Sequence, residues 1–256
     1  MSAKSLFLGL AVAASLISTA QANLVLNGSL ERGDTFNSTY VDGYPLGDIP
    51  HWTVQGAQLN LGVFNAVYIY DDFTDASLPI YMPPAYYCTP ALGFIGGIPC
   101  SNPDGPGHFI NLDGDPAFPA AISQSINGLV ENHQYRLSFY WAAVQRNDQS
   151  GAITNNYLDV SLGTSLVEST IPVNLPAQGF SGWFTTTYDF TWSGVNNGVD
   201  NMLIFLAHGA PTNLPPSINL DGISLNAIPE PPTLVLLIFG LVGVFAFRRR
   251  QVLVAA

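Results

Sequence analysis

Between residues 23 and 227 apolar side chains recur at every second position in short runs, and that period leaves few folds open to this chain. Along residues 135–141 one face carries Tyr135, Leu137, Phe139 and Trp141. Phe184, Thr186, Tyr188, Phe190 and Trp192 share another face, and Leu158, Val160, Leu162 and then Leu203, Phe205, Ala207 repeat the pattern. Turn-forming clusters such as Pro103-Asp104-Gly105-Pro106-Gly107 and Asn196-Asn197-Gly198 separate the runs. A period of two is that of a strand buried on one face. No long stretch shows a capped helical period. Several such strands bury their apolar faces only against a second sheet, so the expected fold is all-β, an antiparallel β-sandwich or jelly roll.

The two ends follow other rules. Lys4, an apolar stretch over residues 6–17 and the small-x-small site Ala20-Gln21-Ala22 read as a signal peptide cleaved after Ala22, with an N-terminal signal helix. An uncleaved anchor is the competing reading, and the short apolar run and well-placed cleavage site weigh against it. At the other end, residues 233–247 are 15 positions without a charge, about 22 Å long as a helix. That is a short transmembrane helix for a bilayer core of about 30 Å. Arg248, Arg249 and Arg250 directly after it would stay on the cytoplasmic side, placing residues 23–227 outside that membrane.

The order Pro229-Glu230-Pro231, apolar helix, arginine cluster resembles the PEP-CTERM sorting signal of exopolysaccharide-producing bacteria. The resemblance implies recognition, and removal of the tail, by an exosortase-type membrane enzyme. Pro232 departs from the small hydroxyl or alanine more common there, and six residues follow the arginines. A plain membrane anchor is the alternative. The chain thus divides into a signal peptide (1–22), an ectodomain (23–227) and a sorting signal (228–256). The product is expected to be exported across the inner membrane, transiently anchored, and then at the cell surface or outside.

Charge supports that division. The whole chain has 18 acidic and 7 basic side chains, a net −11. Residues 23–227 hold only Arg32, Arg136 and Arg146 against 17 acidic groups, a net −14. Nucleic acid is excluded as a partner, because phosphate contacts need clustered cations. The two cysteines, Cys88 and Cys100, enclose eleven residues rich in Gly and Pro and suit a disulfide in an exported protein. Free thiols are the alternative.

Several segments taken in order resemble the galactose-binding-like jelly roll of carbohydrate-binding modules. They are residues 23–31 (NLVLNGSLE), 49–54 (IPHWTV), 111–114 (NLDG), 121–124 (AISQ), 135–139 (YRLSF) and 218–225 (INLDGISL). Residues 71–106 depart from that pattern as an insertion containing the cysteines. The resemblance implies that Glu31 and Asp221 match acids that help hold a structural calcium ion where the first and last strands meet. Local hydrogen bonding at strand ends is the competing role for both.

Catalytic patterns are missing. Asp113 and Asp115 have D-x-D spacing without the glycine and glutamate of a calcium loop, and lead into Pro116, which favours a turn. Asp71, Asp72 and Asp75 show no facing partner, as a glycosidase pair would need. Ser181 lies in GFSGW, which lacks the spacing of a nucleophile elbow. His51, His108, His133 and His208 are scattered, and His51 beside Trp52 is expected to pack or hydrogen-bond. Aromatic rings in loops offer more, since tyrosines stack on the C–H faces of sugars: Tyr40 and Tyr44 in one loop, and Tyr81, Tyr86 and Tyr87 near the cysteines. Packing of the insertion onto the sandwich is their alternative role. The expected function is a non-catalytic, exported protein that binds glycan or serves the polysaccharide matrix. An extracellular hydrolase and a protein–protein adhesion module are the alternatives. An acidic domain without lysine favours neutral sugars, or acidic polysaccharide bridged by calcium.

Overall fold

The computed structural model describes residues 22–30, 49–56, 67–71, 108–117, 119–145, 149–214 and 216–229. These form eleven strands and no helix: β1 (Thr53–Gly56), β2 (Val67–Asp71), β3 (His108–Asp113), β4 (Ala120–Ser125), β5 (Gln134–Gln145), β6 (Ile153–Leu162), β7 (Leu166–Ser169), β8 (Val173–Leu175), β9 (Phe184–Thr191), β10 (Met202–Ala210) and β11 (Pro216–Ala227). One sheet has the order β1-β4-β10-β6-β7, with β8 also on β6; the other is β2-β3-β11-β5-β9. Every pairing is antiparallel. The chain is therefore the all-β antiparallel sandwich its alternation demands.

The sheets close on the predicted faces. Tyr135, Leu137, Phe139 and Trp141 from β5, Leu158, Val160 and Leu162 from β6, and Leu203, Phe205 and Ala207 from β10 are all buried in one core. Phe139 and Phe205, from opposite sheets, meet edge-on with centroids 5.1 Å apart, a geometry that adds about 0.5–1.5 kcal/mol to simple burial. On β9 the alternation is correct but the burial is incomplete. Tyr188 and Phe190 pack on the core, while Phe184 is 38% exposed because it sits on an edge strand, against Trp141.

Strand β11 organises the second sheet. Its inner face is Ile218, Leu220, Ile223 and Leu225, so the alternation breaks between 220 and 223. There the register against β5 shifts, between Asp221 and Ser224, and Gly222 adopts φ 57°. A bulge of this kind inserts a residue and restores the apolar face beyond it. Above it β11 pairs with β3. Below it the opening segment takes β3's place: Leu24 N donates to Leu225 O, and Ile223 N to Gly28 O, both at 2.8 Å. The same segment is clamped to the other sheet, since Gln124 accepts from Leu26 N and donates to Leu26 O, each at 2.8 Å. Trp52 Nε1 donates to Asn27 O at 2.9 Å.

The insertion belongs to the β2–β3 connection, whose base is the pair Asp71 and His108 on the side of the sheet where β2 is the edge. The signal and sorting helices, Glu31, Arg32, Tyr40, Tyr44, Tyr81, Tyr86, Tyr87, Cys88, Cys100, Glu230 and the arginine cluster lie outside the described residues. Asp113 and Asp115 make the expected turn: Asp113 Oδ1 accepts from Asp115 N, and Asp115 accepts from Ala117 N and Asn213 N. The His51 ring is exposed; only its carbonyl is used, accepting from Gln124 Nε2 at 3.3 Å.

A methyl group on Gly28 would overlap the Ile223 carbonyl oxygen, whereas one on Gly198 meets nothing within 4 Å. Gly28→Ala should therefore destabilise the fold by about 2 kcal/mol or more, by prising the opening segment from β11. Gly198→Ala, at φ 80° in an open turn, should cost about 1 kcal/mol from backbone strain alone. Denaturant melts of the two variants measure the difference.

Candidate functional site

The bulge and the opening segment together shape a cleft on the outer face of the five-stranded sheet. Its volume is ≈ 480 Å³. The floor is Ser138 and Tyr140 of β5, Thr185 of β9 and Ser224 of β11, and the wall is formed by Asn23, Asn27 and Ser29 of the opening segment. None of the described lining residues is charged. Asn23 is committed to the fold, since its Oδ1 accepts from Val25 N and Leu225 N, and Ser138 shares a hydrogen bond with Thr187. The hydroxyls of Ser29, Tyr140, Thr185 and Ser224 have no such commitment among the described residues. A ring beside a set of hydroxyls suits a ligand with flat apolar faces and polar edges.

Arg136 is the only described Lys or Arg, and it stands on this face one row below Ser138. It is neutralised by Asp189, with Nε at 2.7 Å and Nη2 at 2.6 Å from the two carboxylate oxygens. The hydrogen bond from Arg136 holds the Asp189 carboxyl below its ordinary pKa, and the same bond raises that of Arg136. The pair's contribution is present above the ordinary carboxylate range and is lost as pH falls through the lowered value. Among the described residues, this rim of the cleft thus has no free cation at neutral pH.

Farther up the same face Phe109 of β3 and Trp183, just before β9, meet edge-on with centroids 5.6 Å apart. These strands are separated by β11 and β5, so the two rings meet over them. Beneath lie Asn111, Asn219 and Asp221, none more than 1% exposed. Asp221 is in register with Tyr140 of the cleft floor. The opening segment runs upward along β11 toward Asp221, and ends at the buried Leu30, one residue before Glu31. A buried carboxylate at this junction fits an oxygen-ligated cation. No group of three or more His, Cys, Asp or Glu able to hold a metal occurs among the described residues.

The acid, histidine and serine side chains that do converge are on the other sheet, and their order does not make a nucleophile. Ser169 donates to Asp159 at 2.5 Å, Asp159 lies 2.8 Å from His208 Nε2, and His208 stacks on Tyr157 at 4.7 Å. The carboxylate stands between hydroxyl and imidazole, so the imidazole does not pair with the serine as a Ser–His arrangement requires. Ser181 is structural, accepting from Ala143 N and donating to Gly182 O. Sequence reasoning did not single out Tyr140, Thr185 or Trp183, and met Asn111 and Asn219 only within the segments that carry the jelly-roll resemblance, because it followed the apolar face of each strand. The apolar run Trp141-Ala142-Ala143-Val144, which breaks the alternation, was the available sign that this face is covered.

Several solved structures are similar in fold. The Stig cyclase FisC from Fischerella sp. TAU, in complex with (3Z)-3-(1-methyl-2-pyrrolidinylidene)-3H-indole, is 12% identical, with 83% of this chain and 100% of that one covered at a TM-score of 0.46. TmCBM61, in complex with beta-1,4-galactotriose, is 13% identical over 81% and 99% of the two chains, at 0.40. The CBM22-1 xylan-binding domain from Paenibacillus barcinonensis Xyn10C is 10% identical over 84% and 99%, at 0.39. No curated protein matches the sequence. Residues 227–250 match the PEP-CTERM protein-sorting motif, as the proline, apolar and arginine order led us to expect, and that motif marks the chain as exported and sorted at the cell envelope.

Proposed function

We propose that this is a non-catalytic, exosortase-processed protein of the extracellular polysaccharide matrix that binds neutral glycan in the cleft on its five-stranded sheet. One observation carries the reading: among the described residues the cleft lining is uncharged and combines the Tyr140 ring with uncommitted hydroxyls. A neutral sugar ring offers the matching surfaces, C–H groups for the ring and hydroxyls for Ser29, Thr185 and Ser224. The hydrolase alternative would need facing carboxylates, and the described lining residues supply none. The base of the 71–106 insertion adjoins Phe109, so Tyr81, Tyr86 and Tyr87, with Tyr40 and Tyr44, are proposed to extend the binding surface from their loops. The tail anchors the chain in the inner membrane until its removal releases the domain.

A panel of neutral and acidic bacterial and plant oligosaccharides, titrated against the full chain in detergent, tests this. Tyr140→Ala should weaken the best neutral ligand at least tenfold with an unchanged melting temperature. Equal binding by the variant would remove the cleft from consideration. Asp189→Ala should raise affinity for uronate-containing oligosaccharides about threefold, and added salt should erase the gain.

A second proposal concerns metal. Glu31 and Asp221, with backbone carbonyls, would hold one structural calcium ion that ties the opening segment to β11. Its support is the burial of Asp221 on the strand to which the opening segment is bonded, carboxylate and carbonyl oxygens being the ligands that calcium takes. Calcium should raise the melting temperature of the chelator-treated chain, and Asp221→Asn should abolish the rise. Superimposable melts with calcium and chelator would end the proposal.

A further inference from the structure

The polar layer beneath the Phe109–Trp183 contact is not part of the cleft lining, and its hydrogen bonds do not close. Asn111 and Asn219 are register partners on β3 and β11. Asn111 Nδ2 donates to Asn219 Oδ1 at 2.7 Å. Asn111 Oδ1 and Asn219 Nδ2 are then buried without a partner. Reversing both amides exchanges the atoms but leaves the same surplus, one donor and one acceptor. Trp183 Nε1 is a third buried polar atom without a partner. The pairing of Trp141 with Phe184, continued by one residue, puts Trp183 in the row of Ala142, Asn219 and Asn111.

Unmet groups of this kind are expensive to keep buried, and packing alone does not require them. The neighbouring strand fills the same face with Ala142 and Val144, both fully buried. The small Ala142 side chain also leaves the space above β5 to the indole. Two donors and an acceptor, set beside two aromatic rings, match a ring that bears adjacent hydroxyls. Tyr140, in register with Asp221, connects the layer to the cleft, and two residues of strand span about 7 Å.

We propose that Asn111, Asn219 and Trp183 form an enclosed subsite at the head of the cleft for one ring of a neutral glycan with adjacent free hydroxyls. One sugar hydroxyl donates to Asn111 Oδ1, its neighbour accepts from Asn219 Nδ2, and the indole N–H donates to a third sugar oxygen. The Phe109 and Trp183 rings cover the C–H face, and Trp183, which is only partly buried, swings outward to admit it. This proposal rests on the glycan reading of the cleft.

The test uses the full chain in detergent, with galactose, glucose, xylose and their β-1,4-linked trisaccharides as probes. Calorimetry and tryptophan fluorescence are the readouts. The double variant Asn111→Leu with Asn219→Leu should melt at or above the wild-type temperature, because it removes unmet polar groups, and should bind the preferred trisaccharide at least tenfold more weakly. Trp183→Phe keeps a ring against Phe109 and removes only the N–H; it should lose about fivefold in affinity, together with the ligand-induced emission change. If the double variant does not fold, Trp183→Phe decides. Wild-type affinity in the layer variants, with weakened binding in Tyr140→Ala, would overturn the subsite alone and leave the layer to water. Failure of every probe to bind the wild-type chain would overturn both the subsite and the glycan reading.

Discussion

The place of β11 at the centre of its sheet is the constraint on which the rest of the molecule depends. Its inner face supplies Ile218, Leu220, Ile223 and Leu225 to the core, while its outer face supplies Ser217, Asn219 and Asp221 to a layer that is also buried. One strand cannot satisfy both faces with a strict period of two over twelve residues when its neighbour changes halfway. The bulge at Gly222 resolves this. Above it the partner is β3; below it, the opening segment. The cleft forms where one neighbour gives way to the other, with the exposed floor of β5 and β9 beside it. Loss of the opening segment would therefore remove a wall of the site and a flank of the central strand together.

The opening segment is short of regular structure yet firmly tied. Gln124 supplies both an acceptor and a donor to Leu26, imitating a strand neighbour with a side chain. Leu30 and Val25 enter the core, and Asn27 and Leu30 accept positive φ. The segment thus bridges the two sheets at the end where β11 finishes. Such a bridge gives the cleft wall rigidity that a free loop would lack, and a rigid wall lowers the ordering cost of binding.

The architecture was largely legible from periodicity, because β5 over residues 135–141 and β6 over residues 158–162 alternate large apolar with more polar residues, and β10 repeats Leu203, Phe205 and Ala207 on one face. The Asp113–Asp115 turn was legible for a similar reason: short acids before Pro116 have local backbone donors to satisfy. The bulge was present in the sequence too, in the three-residue step from Leu220 to Ile223 around a glycine. The site itself was not legible. Alternation assigns a residue to a face but does not say whether that face meets water, and the buried contact of Asn111 with Asn219 joins strands 108 residues apart in sequence. Loop tyrosines drew attention because aromatic residues in loops stand out, whereas Tyr140 sits among the polar alternates of a core strand.

The sorting motif and the fold share a boundary, and this limits how the tail can be handled. The matched segment begins at Ala227, which is the last residue of β11 and is paired with Tyr135. Ile228 N still donates to Gln134 O at 2.7 Å. The folded sheet and the Pro229-Glu230-Pro231 sequence are therefore contiguous in the chain. Chain scission beyond Ile228 leaves every ladder bond of β11 intact, and with them the bulge, the attachment of the opening segment and the cleft. Scission even a few residues earlier would unpair the strand's last turns from β5, at the end where Leu24 is bonded to Leu225. The position of the motif, flush against the last hydrogen bond of the sheet, allows the tail to be removed without altering the surface proposed to bind.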